Sequence, residues 1–321
     1  MDSALKPLVI LTGPTAVGKT SLSIRLAKEI GGEIISADSM QVYRGMDIGS
    51  AKVTKDEMQG VPHYLIDVLD PWEEFHVVKF QEMAKAAMET VWSHGKIPIL
   101  AGGTGFYIQA VLYDIDFTDT QEDTSYRREL EALAKKEGPN ALHKMLLEVD
   151  PDSAGLIHEN NIKRVIRALE FYRDTGTPIS KHNEQERKKN SPYCFSYFVL
   201  NDDRGRIYEK IDQRVDEMIR QGLVKEVKEL KANGCNRSMV SMQGLGYKEI
   251  LDYLEGNLTL EEAIRILKRD TRHFAKRQLT WFKRERDVIW LDKQAFERQE
   301  DQILSFMKNI LREKGILEER E

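Results

Sequence analysis

Several things are scarce in this 321-residue chain, and each scarcity narrows its reading. Its two cysteines, Cys194 and Cys235, lie far apart and make no metal-ligand spacing, so both are expected as small core or surface residues in a reducing cytoplasm. The histidines show no HxxxH or similar pattern, which argues against a protein-held transition metal. No apolar run approaches the ~18 residues that a membrane span needs. The first seven residues lack the apolar stretch of a secretory signal. A cytoplasmic protein without a membrane partner, acting as a monomer, is the expectation. A hydrophobic content of 41% with 31% charged residues excludes a disordered chain, and there is no internal repeat or low-complexity tract. Excess positive charge is also missing, since the net charge is −5 and the pI about 5.9. The balance is uneven, however. Arg265, Lys268, Arg269, Arg272, Lys276, Arg277, Lys283, Arg284 and Arg286 crowd one stretch, and a polyanion meets the local field rather than the total.

What is present begins at Gly13-Pro14-Thr15-Ala16-Val17-Gly18-Lys19-Thr20, a complete P-loop pattern. The apolar run Leu8-Val9-Ile10-Leu11 precedes it, and Leu22, Ile24, Leu26 and Ile30 follow among helix formers. Strand, glycine-rich turn and helix together point backbone N–H groups at a phosphate chain. Lys19 adds a cation, and the Thr20 hydroxyl suits Mg²⁺. Precedent for such a loop is nucleotide binding, to ATP or GTP.

Strand signals at 8–12, 33–37, 64–68 and 97–101 alternate with helix signals at 19–30 and 77–94, the pattern of a parallel sheet covered by helices. A second strand–glycine–helix junction, Gly102-Gly103-Thr104-Gly105, leads into a helix over 106–112. Such junctions sit at the carboxyl ends of strands, where ligands bind. From residue 119 the pattern turns helical, at 125–137, 141–149 and 162–173, and a polar run at 182–190 (HNEQERKKN) reads as a mobile loop. A returning strand is expected at 193–200, then helical segments at 206–233 and 260–284, a short strand at 288–291 and a C-terminal helix whose Ile303, Phe306, Met307, Ile310 and Leu311 form a packing stripe. The fold class expected is α/β: a P-loop core, residues 1–117 and 194–321, interrupted by an all-helical insertion over 118–193.

Asp38 ends the second strand signal, on the sheet edge that carries the P-loop. There its carboxylate could accept a proton or reach Mg²⁺ through water, or simply cap the following turn. An NTPase would place an acidic residue at the end of the 97–101 strand, where this chain has Gly102. Asp67 and Asp70 are the possible substitutes. Phosphate-binding apparatus without evident hydrolytic apparatus suits an enzyme for which pyrophosphate is a leaving group. Arg265, Arg269, Arg272 and Lys276 fall on one helix face, offset locally by only Asp270 and Glu285 and followed by Trp281 and Phe282. Such a face is either a solvated stripe or a surface for looped RNA. Lys163, Arg164 and Arg167 make a second basic cluster. Arg214 fits either a surface ion pair or a pyrophosphate clamp, and the glycines of 244–249 (GLGYKE) allow close backbone approach or a helix start.

Taken together, the stretches GPTAVGKT (13–20), DSMQVYRGMDIGSAK (38–52), GGTGFY (102–107), NIKRVIRALE (161–170), GLGYKE (244–249) and KRQLTWF (276–282) resemble the bacterial-type tRNA dimethylallyltransferases, also called tRNA isopentenyltransferases. The resemblance implies transfer of a dimethylallyl group from dimethylallyl diphosphate to the exocyclic N6 amine of the adenosine 3′-adjacent to the anticodon in tRNA, with release of pyrophosphate. On that likeness the P-loop holds the diphosphate, Lys19 and Arg214 act on its charge, and Thr20 and Asp38 hold Mg²⁺. Asp38 also takes the amine proton. Contacts to the tRNA anticodon stem-loop are implied for Asp38, Ser39, Met40, Gln41, Thr104, Arg164, Arg167, Gly246, Tyr247, Lys248, Lys276, Arg277 and Gln278. The insertion is implied to contact the anticodon arm. With two cysteines and a short tail after Leu291, the chain matches the form without a C-terminal zinc finger. Two rival readings share parts of this pattern: an ATP-dependent small-molecule kinase with Asp38 as base, and an RNA-binding module that uses nucleotide as a signal.

Overall fold

Leu8, Val9, Ile10 and Leu11 are all fully buried, as a strand with helices on both faces requires. They belong to β1 (Lys6–Thr12), which leads through the glycine-rich loop into α1 (Lys19–Ile30). The computed structural model describes residues 5–117 and 124–318. After α1 come β2 (Gly32–Ala37), the short α2 (Lys55–Met58), β3 (His63–Tyr64), α3 (Val77–Ser93), β4 (Ile97–Gly102) and α4 (Gly105–Leu112). Helices α5 (Thr124–Glu137), α6 (Pro139–Val149), α7 (Pro151–Leu156), α8 (Ile162–Thr175) and α9 (Ile179–Lys188) follow. The chain returns as β5 (Tyr193–Asn201), then α10 (Arg204–Gln221), α11 (Leu223–Ala232), a 3-10 turn at Ser241–Gln243, α12 (Tyr247–Leu254), α13 (Leu260–Phe282), β6 (Val288–Asp292) and α14 (Glu300–Glu313).

Among the described residues the six strands form one parallel sheet in the order β3-β2-β4-β1-β5-β6. Side chains alternate across it. Val9, Leu11, Ile34 and Ile99 pack on one face with Leu22 and Leu26 of α1 and Ile303, Met307 and Leu311 of α14. α3 lies against β2 and β4. Register matters most for function. Thr12 pairs with Gly102, and Ala37 pairs with the same residue, so β1, β4 and β2 end level. The P-loop, Asp38 and the turn at 102–105 therefore emerge side by side.

The chain divides into two compact units, Met1–Leu112 with Pro192–Glu321, and Tyr113–Ser191. Among its described residues the second unit is helical, with its own core of Leu130, Leu142, Leu146, Val165, Ile166 and Leu169. The sequence boundaries of 118 and 193 differ by a few residues, and 118–123 of the expected insertion lie outside the described residues.

Four expectations need correction. The strand signal at 64–68 yields only His63–Tyr64, because Leu65 (φ 63°) and Asp67 (φ 55°) adopt left-handed backbone that no strand can hold. Val68 and Leu69 donate instead to the carbonyl of Val42. The polar run at 182–190 is not a loop, since most of it is α9. Its Glu, Gln, Arg and Lys are good helix formers, Lys188 pairs with Glu184 at 2.6 Å, and basic residues close its last turn. The sequence signals leave 150–161 without a helix, whereas Pro151–Leu156 forms α7, where the Asp150 carboxylate caps the helix by accepting from Ser153 N and proline sits in its first turn. The helical stretch 206–233 is two helices, divided at Gly222, whose φ of 105° ends α10.

Candidate active site

A cavity of about 500 Å³ opens at the level strand ends. Thr15, Lys19, Thr20, Asp38, Ser39, Met40, Gln41, Thr104, Arg214, Lys248, Arg277 and Gln278 all line it. Gly13, Pro14, Ala16, Val17 and Gly18 do not, and their contribution is backbone: Val17 is fully buried in the core, and a side chain on Gly13 would collide with the carbonyl of Leu200. Thr12 Oγ1 donates to Gly102 O at 2.8 Å, and Thr104 N to Ala37 O at 3.2 Å, which fastens the three strand ends to one another.

The charges are arranged for an anion. Lys19 Nζ donates to Gly13 O at 2.9 Å and Pro14 O at 2.7 Å, and Arg214 from α10 donates to Thr15 Oγ1 at 3.4 Å. Burial, and then the Arg214 charge, bring the Lys19 pKa down to about 7, opposed by Asp38. Burial also lowers Arg214. Asp38 moves the other way: burial pushes its carboxyl up, against the pull of the Met40 and Gln41 N–H groups and of Lys19 and Arg214. Its Oδ1 accepts from those N–H groups at 2.8 and 3.3 Å. Asp38 thus caps its turn and faces the cavity together. Burial disfavours the charged form of both cations, and an anion beside them would favour it.

The lining also has an apolar part, which includes Phe75, Tyr107, Val215, Met218, Leu245 and Phe274. Tyr107 stacks on Phe80 at 4.5 Å and meets Phe75 edge-on at 5.6 Å. No periodicity in the sequence signals Phe75. Asp67 and Asp70, weighed as Mg²⁺ or water ligands, are engaged elsewhere: Asp67 with Lys52 at 2.5 Å, Asp70 with Arg44 at 3.0 Å. Among the described residues no three His, Cys, Asp or Glu side chains gather as a metal cage. One hydroxyl and one carboxylate beside an anion cavity fit Mg²⁺, which keeps phosphate oxygens and waters as ligands.

Glycines of the 102–105 turn admit protein rather than ligand. A Cβ on Gly103 would lie 2.2 Å from Gln278 Nε2, and one on Gly105 2.2 Å from Trp281 Cδ1. α13 is thereby keyed into the turn. Its basic stripe is also not what its own charges suggest. Arg272 pairs with Asp212 at 2.5 Å, and Lys268 beside the stripe with Asp216 at 2.6 Å, so α10 neutralises one of its four cations and the two helices are tied. His273, Lys276, Arg277, Thr280, Trp281 and Arg284 make a separate outer groove. Arg164 is exposed and Arg167 half-buried on α8 of the second unit.

Gly246 and Tyr247 do not line the cavity. Tyr247 is fully buried, and its hydroxyl donates to Glu226 Oε1 at 2.9 Å. Burial, then the Glu226 charge, push that phenol well above its ordinary pKa. Glu226, on α11, also accepts from the N–H groups of Asp47, Ile48 and Gly49 at 2.9, 2.7 and 3.1 Å, and so holds the loop whose Gly49, Ser50 and Ala51 form one cavity wall. Nothing in the sequence pattern marks Glu226. Glu226→Ala should leave three N–H groups and a buried phenol unpaired and cost about 2–4 kcal/mol. Thermal melting by circular dichroism should show a midpoint lower by roughly 3–6 °C; an unmoved midpoint would mean that water replaces the carboxylate.

The profile of the IPP transferase family matches residues 41–285, and that of isopentenyl transferase matches residues 6–73. The chain is 64% identical over 313 residues, 98% of its length and 100% of the relative's, to a tRNA dimethylallyltransferase of Lachnoclostridium phytofermentans. Among solved structures it is similar to the full-length tRNA isopentenylpyrophosphate transferase of Bacillus halodurans, at 46% identity and a TM-score of 0.73 over 97% of this chain and 98% of that one. A eukaryotic dimethylallyltransferase acting on tRNA shares 31% identity with a TM-score of 0.78, over 89% of this chain and 74% of that one. With the level strand ends, the P-loop and an anion cavity lined by Asp38 behind these likenesses, the chain belongs to the IPP transferase family, the tRNA isopentenyltransferases.

Proposed function

We propose that the protein transfers a dimethylallyl group from dimethylallyl diphosphate to the exocyclic N6 amine of the adenosine 3′-adjacent to the anticodon in tRNA. The observation that carries the reading is one cavity whose lining combines a cationic surface, Lys19 and Arg214 beside Thr15 and Thr20 of the P-loop, with an apolar one of aromatic and aliphatic side chains, and that also holds Asp38. A diphosphate attached to an apolar chain matches both surfaces, and the names of the relatives support the tRNA acceptor. The amine nitrogen attacks the prenyl carbon, the carbon–oxygen bond breaks, and pyrophosphate leaves with the bonding pair. Asp38 accepts the proton that the amine loses. Lys19, Arg214 and the N–H groups at the start of α1 neutralise charge as it builds on the leaving group. Thr20, with Asp38 acting through water, would hold Mg²⁺ in this part of the cavity, and the ion would supply further positive charge to the leaving group.

The acceptor adenine must leave its stack to enter such a cavity. Ser39, Met40, Gln41, Thr104 and Lys248 line the cavity, which supports assigning them to the adenine. Lys276 and Arg277 beside Trp281, and Arg164 and Arg167 on α8, offer cations to the anticodon arm. Transfer of labelled prenyl to an anticodon stem-loop, run beside AMP, ADP and ATP, tests the reading. Label is expected on the stem-loop adenosine, with ATP neither required nor consumed. Label on free nucleotide alone, or ATP-dependent phosphorylation of a small hydroxyl compound, would refute it.

A further inference from the structure

Gln278 is 6% exposed and makes two backbone hydrogen bonds to different loops. Its Oε1 accepts from Thr15 N at 2.9 Å, and its Nε2 donates to Gly103 O at 2.9 Å. Thr15 belongs to the diphosphate loop; Gly103 precedes Thr104, whose N–H is fastened to Ala37 O, one residue before Asp38. A continuous chain of short contacts therefore runs from the donor's loop through one amide to the proton acceptor. Gly103 is glycine because any side chain would expel that amide. Trp281, one turn further along α13, locks the same helix against Gly105. Pro14 has no N–H and that of Thr15 is committed, so the first half of the loop is braced by protein rather than by phosphate.

We propose that Gln278 is a positioning residue for transfer rather than an RNA contact: its amide sets the separation of the diphosphate loop and the acceptor turn, and with it the alignment of prenyl carbon and amine. The inference rests on the transfer reaction proposed above. Bond formation requires the reacting atoms about 3–3.5 Å apart, and a misplacement of about 1 Å costs roughly 10²-fold in rate.

The test uses the full-length enzyme with dimethylallyl diphosphate and an anticodon stem-loop. Gln278→Ala should lower kcat by about 10²-fold, with the stem-loop dissociation constant within a few-fold of wild type. Gln278→Glu supplies the finer readout. Protonated, a glutamic acid can accept from Thr15 N and donate to Gly103 O; ionised, it can only accept and faces the carbonyl with like charge. Its kcat relative to wild type should therefore be near one at low pH and fall as pH rises, within a single folded variant. A lower melting temperature with kcat intact and a pH-independent ratio would reduce Gln278 to packing. Weakened stem-loop binding with kcat intact at saturating RNA would make it an RNA contact. Either result overturns the inference while leaving the reaction standing, whereas a wild-type enzyme that labels no stem-loop overturns both.

Discussion

Asp38→Asn is expected to reduce prenyl transfer by about 10²–10⁴-fold, the range over which a positioned proton acceptor contributes. The substitution is close to isosteric. Asparagine Oδ1 can still accept from Met40 and Gln41 N–H, as the carboxylate does at 2.8 and 3.3 Å, so the turn after β2 keeps its form. What disappears is the basic oxygen and its charge beside Lys19 and Arg214. Asp38→Ala removes the turn bonds as well and should be at least as inactive. Both variants should bind an anticodon stem-loop within a few-fold of wild type, because RNA affinity is dominated by phosphate contacts made elsewhere. Burial raises the Asp38 pKa, which brings the acceptor nearer to neutrality than an exposed aspartate. Activity should fall on the acid side as Asp38 takes up its proton, and Asp38→Asn should lack that limb. Single-turnover rates across pH test both points. Turnover close to wild type in Asp38→Asn would remove Asp38 from proton transfer.

The parts of the fold legible in the sequence were those where backbone and side-chain signals agree. α1 runs from Lys19 to Ile30 between Gly18 and Gly31, both in left-handed backbone, with its apolar stripe inward. β1, β2 and β4 read as apolar runs because both faces of a parallel sheet are covered. Where the signals conflict, tertiary context decides. Residues 64–68 (YLIDV) have strand composition, yet Asp67 is drawn out of line to pair with Lys52, and its N–H donates to Gln41. α9 lacks an apolar stripe and is held by charge pairs, which a hydrophobic pattern does not register.

The site divides along the same line. Motifs delivered Lys19, Thr20, Asp38 and Thr104 to one cavity, because residues at the ends of level parallel strands must share an edge, and Arg214 reaches the same cavity from α10. They misplaced Tyr247, whose ring is inside the protein, and gave no hint of Glu226, whose partners are backbone N–H groups more than 170 positions away. Asp212 and Asp216 illustrate the limit. At i−2 and i+2 from Arg214 they lie off its helix face, and in the fold they bind Arg272 and Lys268 and leave the Arg214 guanidinium to Thr15. Side-chain pairing between distant helices is set by packing, and one helix's periodicity carries no record of it.

Lys19→Met should lower kcat/KM for the prenyl donor by about 10²–10³-fold, the cost of losing one donor to a developing oxyanion, and should also abolish a pH effect. In the ligand-free fold, burial and Arg214 hold Lys19 at about 7, well below the ordinary 10.5. Between those two values the unfolded chain carries a proton that the fold has released, so the Lys19 contribution makes ligand-free stability rise with pH across that window. Diphosphate binding does the reverse. The anion favours the ammonium, so binding above pH 7 takes up a proton, and the dissociation constant should rise by up to about tenfold per pH unit. Titration of wild type and Lys19→Met with metal-free inorganic pyrophosphate separates this from ionisation of the ligand itself, which is common to both proteins. Calorimetry in buffers of different ionisation enthalpy counts the proton directly. Wild type should show uptake that Lys19→Met lacks, and its pyrophosphate-induced gain in melting temperature should shrink as pH rises while its ligand-free melting temperature climbs relative to the variant. Equal proton counts in the two proteins would mean that Lys19 is already charged before the anion arrives, and its part in binding would then be a fixed charge rather than one the diphosphate summons.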